Sequence, residues 1–203
     1  MSGATSRGWL DSFAPQLGRG AAEHDEPEAA CELCAADVRS GHRHLLQLEQ
    51  RRIVCVCESC WDRGARDAEF RQTNARVEWL EDFRLPEHVW TALGPPAGLA
   101  LFLRSSSAGR VVALNPRAST VESELPESDW AHLASENPAL EKLEPDAEAL
   151  IVDRLGRSPR HLIAPIEACN RLVGLIQSRT SEPDLGPALD DFFYGLRRRG
   201  TCR

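Results

Sequence analysis

Apolar residues recur along the chain with two periods. In "HLLQLEQRRIVCVC" they alternate, which puts Leu46 and Leu48 on one face of an extended strand and Ile53, Cys55 and Cys57 on one face of a second. A short hairpin turning near Glu49 to Arg51 follows. "RVEWLEDF" reads as a strand or linker, and Pro86 opens a short helix, "PEHVWTAL", closed by Gly94, Pro95 and Pro96. "AGLALFLRS" and "GRVVALNP" read as a buried antiparallel pair around "SSAG", the first nearly continuous in its apolar run. "EALIVDR" and "RHLIAPI" pair in the same way across "LGRSP". Helical spacing governs "ESDWAHLASENPALEKL", where Ser128 is the expected N-cap and Trp130, Leu133 and Ala134 recur until Pro138 interrupts. It returns in "EACNRLVGLIQS" and "GPALDDFFYGLRRR", the latter with arginines in its last turn, where they complement the helix dipole. Between these elements "STVESELP" reads as a solvated loop.

This order predicts an α+β fold in three parts. Residues 1–29, with the acidic run "EHDEPE", are expected to form a disordered acidic tail; a docking peptide built on Trp9, Leu10 and Phe13 is the alternative. Residues 30–76 are cysteine-rich and carry the hairpin, as in a small treble-clef or zinc-ribbon-like finger. Residues 77–203 form an α+β domain with an antiparallel sheet.

Charge and composition narrow the class of function. The chain has 203 residues and a formal charge of −7, and Lys142 is its only lysine. A net negative surface repels a phosphate backbone unless basic groups are segregated, and only "RRR" at 197–199 is such a cluster, so no nucleic-acid partner is expected. The longest apolar runs are too short to cross a bilayer, and no apolar stretch follows a basic start; a cytoplasmic protein without membrane contact is the expectation.

A reducing compartment disfavours structural disulfides, and seven cysteines cannot all pair. Cys31/Cys34 and Cys57/Cys60 form two C-x-x-C pairs with 22 residues between them. Such pairs make tight knuckles whose thiolates converge on one tetrahedral zinc ion, and a hairpin of the predicted length brings the knuckles together. Two alternative ligands stand beside this Cys₄ set. Cys55 points along its strand with Cys57, and His44, next to His42 in "HRH", would complete a Cys₃His set. An iron-sulfur cluster wants the same four thiolates and is not excluded. A thioredoxin-like role is disfavoured, because neither pair is expected at a strand-to-helix junction of a βαβ unit. A nuclease of the His-metal finger type would need a second metal-binding side chain after the last knuckle, where the chain has "CW". No catalytic residue emerges elsewhere: Glu167 and Cys169 diverge at i, i+2 on a helix, neither His132 nor His161 is placed beside them, and Cys169 reads as a core residue.

Taken together, "CELC…HRHLLQLEQRRIVCVCESC", "PAGLALFL", "GRVVALNP", "VESELPESDW", "NPALEKLEPDAEALIVDR" and "PIEACNRLVGLI" resemble a bacterial family named only as a domain of unknown function, over roughly residues 29–196. Its members are typically encoded beside the structural and maturation genes of nickel-iron hydrogenases in high-GC bacteria. The resemblance maps the family's cysteine pairs onto Cys31, Cys34, Cys57 and Cys60 and its histidine onto His44, and it supplies no catalytic residue. Leu101, Leu114 and Asn170 depart from aromatic residues, two and a tyrosine, common in the family. What the resemblance implies is a non-enzymatic zinc-binding accessory protein whose protein partner is a hydrogenase subunit or maturation factor. A metal or cluster carrier, or a nuclease, is the alternative. Trp61 and Trp9 are the expected anchors for a partner, unless Trp61 covers the metal site.

Overall fold

A computed structural model describes residues 29–38, 43–50, 52–73, 76–92, 98–106, 108–116, 122–156, 158–178 and 182–200. The tail with Trp9, Leu10 and Phe13, His42, and the Gly94–Pro96 helix stop lie outside the described residues.

The larger part is built on a six-stranded antiparallel sheet. Its strands are β6 (Glu78–Trp79), β7 (Leu99–Ser105), β8 (Arg110–Leu114), β9 (Glu122–Glu124), β10 (Glu148–Asp153) and β11 (Arg160–Pro165). They lie side by side as β6-β11-β10-β7-β8-β9. The fold is therefore α+β, and both expected hairpins are present. Pairing aligns Leu162, Ile151, Leu101 and Leu114 in one cross-strand row and Ile163, Leu150, Phe102 and Ala113 in the next. These rows face opposite ways, because side chains alternate along each strand. The first row packs under α4 (Ile166–Ser178) and α5 (Glu182–Gly200), and the second under α2 (Glu87–Ala92) and α3 (Glu127–Glu136). Helices on both faces explain why "LALFL" and "ALIV" are continuous apolar runs: neither face of a central strand meets water.

Two local readings change. Ser128 is not the N-cap of α3; Pro126 holds that position with extended backbone, and the helix begins at Glu127. The fixed proline ring sets the entry, while Glu127 and Asp129 in the first turn complement the dipole. "STVESELP" is not wholly loop either. Glu122–Glu124 pairs with Val112–Leu114 as the edge strand. At the other end of α3 the helix stops before Pro138. Asn137 there donates from its side-chain amide to the carbonyls of Leu133 and Arg84 and accepts from the Arg84 N–H, so a buried amide closes the helix end.

The cysteine-rich part forms two smaller sheets. β1 (Ala29–Ala30) pairs with β2 (Asp37–Val38) across the first C-x-x-C. The expected hairpin is β3 (Arg43–Gln47) and β4 (Arg52–Val56), and β5 (Phe70–Gln72) adds to the open side of β3. Between β4 and β5 lies α1 (Glu58–Gly64). Apolar residues on both faces of the hairpin are packed. Leu45, Val54 and Val56 pack into a core with Cys31 and Cys60, while Leu46, Leu48 and Ile53 join the core beneath α4 and α5. Gly64 lets α1 lie flat on the first core: a Cβ there would stand 2.3 Å from Leu45 Cδ1. Arg76, just after β5, ties the two parts further by pairing with Glu78 and with the buried Glu148 of β10.

Candidate metal centre

Two backbone turns bring the knuckles together. In the first, the Cys31 N–H donates to the Ala36 carbonyl and the Ala35 N–H to the Cys31 carbonyl, both at 2.7 Å, and Ala35 adopts φ 58° to close the turn. In the second, Cys57 is the N-cap of α1, and the Cys60 and Trp61 N–H groups donate to its carbonyl. Glu32, between the two cysteines of the first knuckle, clamps it to β4: its N–H donates to the Cys55 carbonyl and its carboxylate accepts from the Cys55 N–H, each at 2.9 Å.

The sulfurs of Cys31, Cys34, Cys57 and Cys60 consequently lie within 4.8 Å of one another, with Cys34 and Cys57 3.6 Å apart. A tetrahedral ion with Zn–S bonds of about 2.3 Å requires sulfur–sulfur edges of about 3.8 Å, so the set fits a thiophilic metal. It does not fit disulfides, whose sulfurs stand about 2.05 Å apart. Electrostatics agree with a site that wants a cation. Burial pushes the Cys31 thiol up, but hydrogen bonds from the backbone of Cys57, Leu33 and Cys34 and from the Cys34 thiol outweigh it, and its pKa falls to about 6. Cys60 is pushed up to about 12, by burial first and then by the thiols of Cys34, Cys57 and Cys31 around it. One thiolate forms and opposes the next; a divalent ion removes that opposition by displacing the remaining protons.

Strand register explains which predicted ligands stay outside. His44 pairs with Cys55, and Leu46 with Ile53, so His44 and Cys55 share the face turned away from the finger core. The expectation that Cys55 and Cys57 point the same way fails because β4 ends at Val56 and Cys57 turns into α1, which breaks the alternation. Among the described residues the metal-capable group is the four cysteines without His44. Trp61 is partly buried in the finger core with the Arg43 guanidinium 4.1 Å over its ring, and the large apolar side chain the finger exposes is Leu33 at the knuckle tip, 43% accessible.

Sequence reasoning missed α1 and with it Arg63, whose Nη2 donates to Cys60 Sγ at 3.2 Å. Glu58 in the first turn and Arg63 in the last were the available signals, since each complements the helix dipole. Contrary to expectation, the second C-x-x-C does sit at a strand-to-helix junction: β4 and β5 both run antiparallel to β3 and hence parallel to each other, with α1 between them, a βαβ unit split by β3. Outside the finger, Cys169 is buried in the sheet core, its thiol pushed well above the ordinary range by burial and then by Glu167. His161 packs against Phe83, where burial and then Arg154 hold it below its ordinary value, and His132 stacks on His88 at the surface. No helix among the described residues is long and apolar enough to cross a membrane. Comparison with curated proteins and with solved structures returned no match. Residues 30–200, however, match the profile of the family of unknown function DUF5947, and the chain belongs to that family.

Proposed function

We propose that the centre holds one structural zinc ion in a treble-clef arrangement of knuckle, hairpin and helix, and that the protein is a non-enzymatic accessory factor acting by protein contact. The observation that carries the metal reading is the convergence of four sulfurs from two separate knuckles within 4.8 Å. Four protein thiolates saturate a tetrahedral ion, whereas a catalytic zinc keeps a position open for water or substrate. Contact as the mode of action is supported by Leu33, which the knuckle presents to solvent beside the site. The setting we propose, assembly or maturation of a nickel-iron hydrogenase, rests on the sequence resemblance alone. Cytoplasmic location belongs to the same proposal.

Elemental analysis of protein purified without added metal tests the first part: one zinc per chain is expected, and Cys60→Ser should lose it together with the finger's structure, because metal binding supplies much of such a module's folding energy. Iron with visible charge-transfer absorption would favour the cluster carrier instead. The second part is tested by deleting the gene and measuring hydrogenase activity under conditions where hydrogenase is expressed. Undiminished maturation rejects it.

A further inference from the structure

The four thiols are not equivalent. Cys31 and Cys60 are 2% and 3% accessible, Cys57 is half-buried and Cys34 is exposed. Cys60 also accepts from the Arg63 guanidinium, and at 3% accessible it is closed to an incoming reagent. That leaves Cys34 as the sulfur an incoming reagent meets, and Cys57 Sγ stands 3.6 Å from it. The two accessible sulfurs thus belong to different knuckles, not to one C-x-x-C.

From this asymmetry we infer that the centre is a peroxide-sensitive modification site in which Cys34 is oxidised first and Cys57 closes on it to form a disulfide between the knuckles. The inference rests on the zinc reading. The Cys34 thiolate attacks one oxygen of hydrogen peroxide; the O–O bond breaks, giving a sulfenic acid on Cys34 and hydroxide. The Cys57 thiolate then attacks the Cys34 sulfur, forming the S–S bond and expelling the second hydroxide. Two thiolates lose two electrons, the peroxide gains them, and each hydroxide takes a proton from solvent to leave as water. Two thiolates remain where a tetrahedral ion needs four ligands, so the ion is released. The new bond joins residues 23 apart in sequence and spans the gap the ion had spanned, which keeps the finger closed. A bond within either C-x-x-C would leave the knuckles free to part. An external dithiol reverses the link by exchange and lets the ion return.

The test uses full-length protein already shown by elemental analysis to carry one zinc per chain. It is titrated with hydrogen peroxide while a colorimetric chelator reports free zinc; remaining thiols are alkylated and the disulfides mapped by mass spectrometry. One zinc released per disulfide is expected, the first disulfide being Cys34–Cys57, with recovery on adding dithiothreitol and zinc. Zinc-loaded Cys34→Ser should release its ion at least about tenfold more slowly. Should that variant fail to keep zinc, the wild-type disulfide map decides by itself. A first disulfide within either C-x-x-C, or zinc loss with Cys34 still reduced, overturns the inference and leaves the zinc reading standing. Protein purified without zinc overturns the zinc reading and this inference with it.

Discussion

Leu45 and Leu46 are neighbours in β3 with the same chemistry and opposite destinations, one in the finger core and one beneath α4 and α5. Replacing each by alanine asks whether finger and sheet share a core. Both side chains are fully buried, so each substitution removes apolar contacts and leaves a cavity, at a cost of about 2–5 kcal/mol. For a chain of this size a loss of about 3 kcal/mol lowers the melting temperature by roughly 6–12 °C. Leu46→Ala is expected to show that loss in the unfolding of the sheet domain, followed by urea or heat, while zinc remains bound. Leu45→Ala lies against Gly64 of α1, and its effect is expected first in metal retention. If about 2 kcal/mol of the penalty is expressed in the metal-bound finger, zinc affinity falls roughly thirtyfold, measured by competition with a chromophoric chelator. A Leu46→Ala protein that unfolds like the parent, or two variants indistinguishable in both assays, would refute the shared-core reasoning.

Three further outcomes are open to direct measurement. Asn137→Ala should destabilise the protein by about 1–3 kcal/mol in urea unfolding, because the buried Leu133 carbonyl and the backbone of Arg84 lose their partners. Ala35→Gly should strengthen zinc binding a few-fold, since Ala35 holds a left-handed φ of 58° that costs an L-residue about 1–2 kcal/mol and glycine almost nothing; unchanged or weaker binding counts against a strained knuckle. Glu167 has its carboxyl raised above the ordinary value of 4.5, by burial first, with the Thr73 hydroxyl, its own N–H and Arg171 pulling the other way. A raised carboxyl contributes stability that is fully present below the unfolded pKa and is lost as pH rises through the folded one. Glu167→Gln, which cannot ionise, should therefore gain on the parent as pH is taken from 4 to 8; a stability difference independent of pH would contradict the shift.

Much of the sheet was legible because its strands are long apolar runs bounded by turns, and period two needs only four or five residues to show. "LALFL" with "RVVAL" and "EALIVD" with "RHLIAP" were paired correctly for this reason. The convergence of Cys31, Cys34, Cys57 and Cys60 is legible from spacing alone, since a C-x-x-C closes a knuckle whatever surrounds it. What escaped was set by contacts remote in sequence. β5 and β9 are three residues each, too short to establish a period, and they are strands because β3 and β8 offer them an edge. The helix α1 carries few apolar side chains in "ESCWDRG"; its buried face is Cys60 and Gly64, and neither reads as a hydrophobic anchor. Residue type favours Ser128 as a cap, and a proline two positions earlier takes the role through backbone geometry.

The double-faced hairpin also limits what the centre can do. In an appended finger one side of the hairpin meets water and is free to receive a partner. Here Leu46, Leu48 and Ile53 pack toward the sheet and Leu45, Val54 and Val56 toward the finger, so each face carries packed apolar residues. Free energy released if the knuckles close on an ion would reach the sheet domain through adjacent residues of one strand, Leu45 and Leu46. Around the centre, a partner would meet the rim: the tip at Leu33 and Cys34, and the outer side of α1, where Arg43 covers Trp61 and pairs with Glu58. That rim includes the sulfur most open to oxidation. On the proposed function, binding there would shield Cys34 and oxidation there would alter the surface a partner meets, which would couple contact to redox state at one edge. A partner that protects Cys34 from alkylation while leaving the unfolding of Leu46→Ala unchanged would place contact at the rim and stability in the hairpin.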